Sequence, residues 1–230
     1  MFTFKRFAVR QERCAMKVGT DGVLLGAWAS ILESDRRILD IGTGTGLIAL
    51  MAAQRSSSAH IVGVEIDDAS AGQARENVAA SPWSDRVEIV AADIRNYRPE
   101  EPFDLVVSNP PYFVDSLKSP DSGRTAARHT VSLGFDELMH AAERMLVPDG
   151  RLAVIVPAEA ATRVVAAGNM PLLRRCDVSS KPSSKPIRTM LEFADGYCGA
   201  PLISSLTIGD GDGVYTDEYR ALTRDFYLKF

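Results

Sequence analysis

Cysteine and histidine are scarce in this chain, with three of each in 230 residues. Cys14, Cys176 and Cys198 are odd in number and far apart, and they form no metal-ligand spacing with His60, His129 or His140. A disulfide framework and a zinc site are therefore not expected, and the thiols read as reduced. Long apolar runs are missing too: no stretch approaches the ~20 residues that cross a bilayer. Met1-Phe2-Thr3-Phe4-Lys5-Arg6 has neither the apolar core nor the cleavage site of a signal peptide. The expected compartment is the cytoplasm, with no membrane, no metal and no obligate protein partner. An excess of positive charge is also absent. The net charge of −4 argues against a chain that coats nucleic acid through bulk charge.

What is present is ordinary globular material, 46% hydrophobic and 24% charged, long enough to bury one large core. Its positive charge is clustered. Residues 1–20 carry Lys5, Arg6, Arg10, Arg13 and Lys17 against Glu12; residues 118–129 carry Lys118, Arg124 and Arg128 against Asp121. Residues 174–188 carry Arg174, Arg175, Lys181, Lys185 and Arg188 against Asp177. Together these segments hold +10, which leaves −14 on the rest of the chain. Converging in space, they would make a basic rim suited to phosphates; dispersed, they are solvated surfaces on different sides.

Apolar, β-branched runs alternate with helical patterns from Arg36 onward. Strands are expected at 38–41, 61–66, 87–91, 103–108, 152–156, 187–194 and 202–208. Helices are expected at 23–29 (capped by Thr20 or Asp21), 47–54, 68–80, 135–146 and 159–167. Tyr215, Tyr219, Leu222 and Phe226 form a helical stripe near the end, and 113–132 is a long polar loop. This order predicts an α/β, Rossmann-like fold: a mostly parallel seven-stranded sheet with helices on both faces and an antiparallel edge strand. Residues 1–30 read as a basic arm and capping helix of the same domain as 31–230.

Four features carry chemistry. Asp40-Ile41-Gly42-Thr43-Gly44-Thr45-Gly46 sits between the first of these strands and its helix. Glycines there let a ligand approach the backbone, and the helix N-terminus offers unpaired N–H groups. The spacing is G-x-G-x-G rather than the dinucleotide G-x-G-x-x-G, and Asp40 would repel a pyrophosphate but orient an ammonium group. That favours S-adenosylmethionine over NAD. Glu65, followed by Ile66, ends the second strand and can accept both hydroxyls of a ribose. Asp93 follows the third strand and can accept an adenine amine with Ile94 against the ring; taken alone, it reads equally well as a turn residue or cap. Asn109-Pro110-Pro111-Tyr112 ends the fourth strand, where two prolines block any further ladder. The Asn109 and Pro110 carbonyls can accept two N–H bonds from a planar group whose face stacks on Tyr112.

On these motifs the chain resembles the class I S-adenosylmethionine-dependent methyltransferases, and within them the family that methylates the N6 amine of adenine 37, beside the anticodon of valine tRNA. The blocks that carry the resemblance are Phe2–Phe7, Arg13–Trp28, Asp40–Gly46, Ser81-Pro82-Trp83, Ala92–Ile94, Asn109–Tyr112 and Leu222–Leu228, with Arg124, Ala127 and Arg128. The resemblance implies that Lys17, Gly19, Thr20, Asp21 and Gly22 touch the methionyl end of the cofactor. Asp40, Gly42, Thr43, Gly44 and Gly46 lie nearby, Glu65 and Ile66 meet the ribose, Asp93 and Ile94 meet the adenine, and Asn109 borders the cofactor while holding the target base. The expected partner is a tRNA, gripped through Lys5, Arg6, Arg13, Lys118, Arg124, Arg128, His129, Lys181, Lys185 and Arg188. The rivals are a protein-glutamine N5-methyltransferase, another RNA amino-methyltransferase, and a non-catalytic RNA-binding domain that keeps the fold.

Overall fold

Runs that are apolar at consecutive positions need cover on both sides, and a parallel sheet between helices supplies it. The computed structural model describes residues 1–14, 16–110 and 133–229 and has this architecture. In chain order it runs β1 (Phe2–Thr3), β2 (Ala8–Val9), α1 (Thr20–Trp28), β3 (Arg37–Ile41), α2 (Leu47–Arg55), β4 (His60–Glu65), α3 (Asp68–Ala79), β5 (Val87–Ala91) and β6 (Phe103–Ser108). After the undescribed stretch come α4 (Phe135–Met145), β7 (Leu146–Pro157), α5 (Ala161–Val165), β8 (Leu172–Ser179), β9 (Arg188–Ala194), β10 (Leu202–Thr207) and α6 (Asp217–Thr223). The main sheet has the order β10-β8-β9-β7-β6-β3-β4-β5, and β1 and β2 pair in a separate antiparallel hairpin.

Alternate strand residues face opposite sides, so the sheet divides two cores. Ile38, Ile61, Leu105 and Ile155 pack with α1, α2, α3 and α6 on one face. Leu39, Val62, Val106 and Val154 pack with α4 and α5 on the other.

The expected α/β class holds, and four details differ. The sheet has eight strands rather than seven; the additional one is β8, whose buried Cys176 and Val178 are masked in sequence by Arg174, Arg175 and Asp177. The antiparallel strand is β9, and it lies inside the sheet between β7 and β8, while the edge strand β10 runs parallel to its neighbour. Burial explains this exchange. Residues 189–194 of β9 are buried throughout and need neighbours on both sides, whereas most of β10 is exposed. Helix α1 is capped by Gly19 without a side-chain bond, leaving Thr20 and Asp21 in its first turn. Lastly, 159–167 is a 3₁₀ turn at Ala158–Ala160 followed by the short α5.

Candidate active site

The strand order fixes the site. Strands β6, β3, β4 and β5 are consecutive neighbours, spaced ~4.8 Å apart. Their carboxyl ends therefore bring Asn109, the glycine turn, Glu65 and Asp93 along one edge of the sheet, where open α/β folds bind ligands. The turn needs its glycines: φ is +69° at Gly42, +54° at Gly44 and +81° at Gly46, a region L side chains rarely enter. A Cβ added at Gly42 would meet nothing within 4 Å, so the turn's outer surface is open to a ligand.

Beside this turn lies a cavity of about 350 Å³, within the range of small-molecule sites. Its walls are Met16–Gly22, Gly42–Thr45, Asn109, and Ile187 and Arg188 at the start of β9. Five residues expected at the methionyl end (Lys17, Gly19, Thr20, Asp21, Gly22) thus share one cavity with Asn109. The first and third basic segments also meet here, through Lys17 and Arg188. Arg188 donates from Nε to Asp21 Oδ2 at 2.7 Å, joining β9 to the first turn of α1. Nothing in sequence signals that pair.

Asp40 does not line the cavity. Its Oδ2 accepts from Thr43 Oγ1 at 2.6 Å and from the Ala49 N–H at 3.1 Å, bracing the turn against α2. Its Oδ1 is buried without a hydrogen-bond partner. Burial pushes the Asp40 pKa up to about 7; the bonds from Thr43 and Ala49 oppose the shift, and the charge of Glu65 adds to it. The unfolded chain releases this proton near pH 4, whereas the folded protein holds it to about pH 7. Unfolding in that window releases a proton, so this group's contribution to stability declines as pH rises from about 4 to about 7. Asp40→Asn should remove the decline. Its melting temperature is expected to match wild type near pH 4 and to exceed it by several degrees at pH 8. Differential scanning calorimetry at both values checks this; a variant that melts below wild type at pH 8 contradicts it.

Glu65 is held from two sides: its Oε2 accepts the Gly44 N–H at 2.9 Å, and its Oε1 accepts the Asp67 N–H at 3.0 Å. Exposed Ile66 follows it. Asp93 carries an ion pair to Arg95 at 2.6 Å, and the hydrogen bond from Arg95 holds its carboxyl below the usual range. Ile94 beside it is buried. The sequence does carry a sign of this pair, an arginine two residues after an acid at a strand end. The carboxylates of Glu65 and Asp93 at neighbouring strand ends, the open glycine turn and the Lys17–Gly22 wall of the cavity suit a nucleoside bearing an amino-acid end. The residues present therefore fit S-adenosylmethionine.

Several expected RNA contacts lie away from this cavity. Lys5 Nζ donates to the Arg224 carbonyl. Arg6 lies over the Trp83 ring, 5.4 Å from its centroid. Trp83 accepts backbone bonds from Arg86 and Val87 at the amino end of β5, so Arg6 is at the opposite edge of the sheet from the turn. Arg13 pairs with Glu76 of α3. Lys181 and Lys185 are exposed in the connection between β8 and β9. Pro111, Tyr112, Lys118, Arg124, Arg128 and His129 lie outside the described residues. Among the described residues, no helix is long and apolar enough to cross a membrane, and no three His, Cys, Asp or Glu residues are placed to hold a metal ion.

Comparison with known proteins agrees with this geometry. The profile of the methyltransferase small domain family matches residues 22–170. A tRNA1(Val) (adenine(37)-N6)-methyltransferase of Phocaeicola vulgatus is 50% identical over 232 residues, covering 99% of this chain and 97% of the relative. The protein of the same name from Yersinia pestis is 44% identical, covering 100% and 94%. Among solved structures, a predicted O-methyltransferase from Agrobacterium tumefaciens superposes with a TM-score of 0.70 at 21% identity, covering 90% of this chain and 96% of that one. A glycopeptide N-methyltransferase complexed with S-adenosylhomocysteine superposes with a TM-score of 0.56 at 13% identity, covering 80% and 93%. At these identities the two structures speak to the fold alone.

Proposed function

This chain belongs to the methyltransferase small domain family and, within it, to the tRNA1(Val) (adenine(37)-N6)-methyltransferases, and from that premise we propose that it transfers a methyl group from S-adenosylmethionine to the N6 amine of adenine 37 in tRNA1(Val). The observation that carries the reading is the placement of Asn109 on the wall of the cavity beside the glycine turn. Acceptor and donor sites are thereby adjacent.

S-adenosylmethionine supplies the methyl group on a sulfonium that is its own leaving group, so the protein's share is positioning and electrostatics. The N6 lone pair is delocalised into the adenine ring. Hydrogen bonds from the amine to the Asn109 side-chain carbonyl and the Pro110 carbonyl favour a more tetrahedral nitrogen and offset the charge that develops on it. The acceptor nitrogen would take the methyl group and give up its excess proton to water. Glu65 would hold the ribose hydroxyls, Asp93 with Ile94 the adenine of the cofactor, and Lys17–Gly22 the methionyl end. An anticodon-loop base is free enough of its stack to be turned out into such a pocket. Arg188 at the cavity wall, with Lys181 and Lys185 exposed in the connection that precedes it, grips the neighbouring phosphates.

The protein-glutamine and binding-only readings rank below this one, because relatives that span the whole chain are named for adenine-37 N6 methylation. Deleting the gene should remove N6-methyladenosine from position 37 of tRNA1(Val), and restoring it should bring the modification back, read by mass spectrometry of the isolated tRNA. Persistence of the modification in the deletion strain contradicts the reading.

A further inference from the structure

Arg95 occupies the group that the nucleoside end of the cofactor needs. A carboxylate offers about four acceptor positions, two on each oxygen. In Asp93 both oxygens are engaged by one residue through three N–H groups, with the single Nε hydrogen shared between them. Its Oδ1 accepts the Arg95 backbone N–H at 3.0 Å and Nε at 2.9 Å; its Oδ2 accepts Nε at 2.9 Å and Nη2 at 2.6 Å. The same guanidinium reaches Glu137 Oε1 of α4 at 3.5 Å, so a second carboxylate stands ready for it. Glu137 is itself fixed, because its Oε2 caps α4 by accepting the Gly134 N–H at 2.8 Å. An adenine amine is a donor and competes with the Arg95 guanidinium for the Asp93 oxygens.

We propose that Arg95 is a specificity-determining residue of the adenine subsite, competing for Asp93 in the free protein and moving toward Glu137 when an amine-bearing purine arrives. This rests on the assignment of Asp93 to the cofactor's adenine. The ion pair then sets a threshold. A ring bearing an amine replaces the lost contact, whereas a ring bearing an oxygen at that position would leave Asp93 without compensation. The pair is partly exposed, with side chains 32% and 23% accessible, so the threshold is modest, roughly twofold to fivefold in affinity.

The test uses the full-length protein and 5′-methylthioadenosine, which carries the nucleoside without the charged amino-acid end, in calorimetric titrations. Arg95→Met keeps the apolar stem and removes the donors. It is expected to bind methylthioadenosine roughly twofold to fivefold more tightly than wild type and to show no gain for 5′-methylthioinosine, where oxygen replaces the amine. In wild type, added potassium chloride should weaken the ion pair and tighten methylthioadenosine binding, a measurement that does not depend on the variant's folding. Equal or weaker binding by Arg95→Met, a gain shared by both nucleosides, or no tightening with salt overturns the proposal while leaving the cofactor assignment in place. Failure of wild type to bind S-adenosylhomocysteine overturns that assignment, and this inference with it.

Discussion

Asn109→Ala is expected to lower kcat for methyl transfer by about two to three orders of magnitude while changing the affinity for S-adenosylhomocysteine by less than about threefold. The residue follows directly on β6, where the inward hydroxyl of Ser108 donates to the Ile41 carbonyl at 2.9 Å and ties the strand end to β3. This tie fixes where the amide is presented. Pro110, buried behind it, has no N–H and cannot extend the ladder. Truncation to alanine removes one of the two carbonyls that favour a tetrahedral nitrogen and leaves the glycine turn, Glu65 and Asp93 untouched. The defect should therefore fall on the chemical step. Single-turnover kinetics with saturating tRNA, set against calorimetric titration of S-adenosylhomocysteine, separate the two quantities. Parallel losses in both would place Asn109 in the cofactor subsite instead.

Arg174→Ala should act on stability, although Arg174 belongs to one of the three basic segments. Its guanidinium donates from Nε and Nη2 to Glu192 Oε2 at 3.0 and 2.6 Å, and from Nη2 to the Trp28 carbonyl at 2.6 Å. It also lies 3.7 Å from the centroid of the Trp28 ring. Glu192 is fully buried, and its other nearby cation, Arg151, is 4.0 Å away and engaged with Asp35. Removing one partner of a buried pair leaves an uncompensated charge, at a cost of about 3–5 kcal/mol. For a chain of this size that lowers Tm by roughly 10 °C. Lys181→Ala and Lys185→Ala are the contrast. Both side chains are exposed, so their stability should stay within about 0.5 kcal/mol of wild type. Their tRNA binding should weaken, with a smaller salt dependence. Thermal melts and salt-titrated binding of all three variants check this. If Arg174→Ala melted like wild type and lost tRNA affinity, the residue would belong to the RNA surface.

That contrast shows where sequence reading reaches and where it stops. Asp40–Gly46, Glu65, Asp93 and Asn109 were legible because each follows or ends an apolar run, and parallel order brings such ends to one edge. Strand β8 was not legible, because Arg174, Arg175 and Asp177 read as surface while Cys176 and Val178 carry the burial. The charges at 174 and 192 cancel only in three dimensions, through strands that pair antiparallel. The interior position of β9 was hidden for a similar reason: chain order suggested an edge, but Met190, Leu191 and Phe193 need cover on both faces. The sequence shows Asp40 as an acid beside the turn. Its inward direction, toward Thr43 and Ala49, depends on how the turn closes onto α2, which spacing alone does not give. The Asp21–Arg188 pair joins residues 167 positions apart, beyond any local pattern.

The central claim, that the amine acceptor at Asn109 is adenine 37 of tRNA1(Val), is tested most directly by incubating the purified protein with methyl-labelled S-adenosylmethionine and tRNA1(Val) that lacks the modification. After nuclease digestion, the label is expected in N6-methyladenosine at position 37, and it should disappear when that adenine is replaced by guanine. Label in guanosine, in another adenine or in protein, or no transfer at all, would contradict the account.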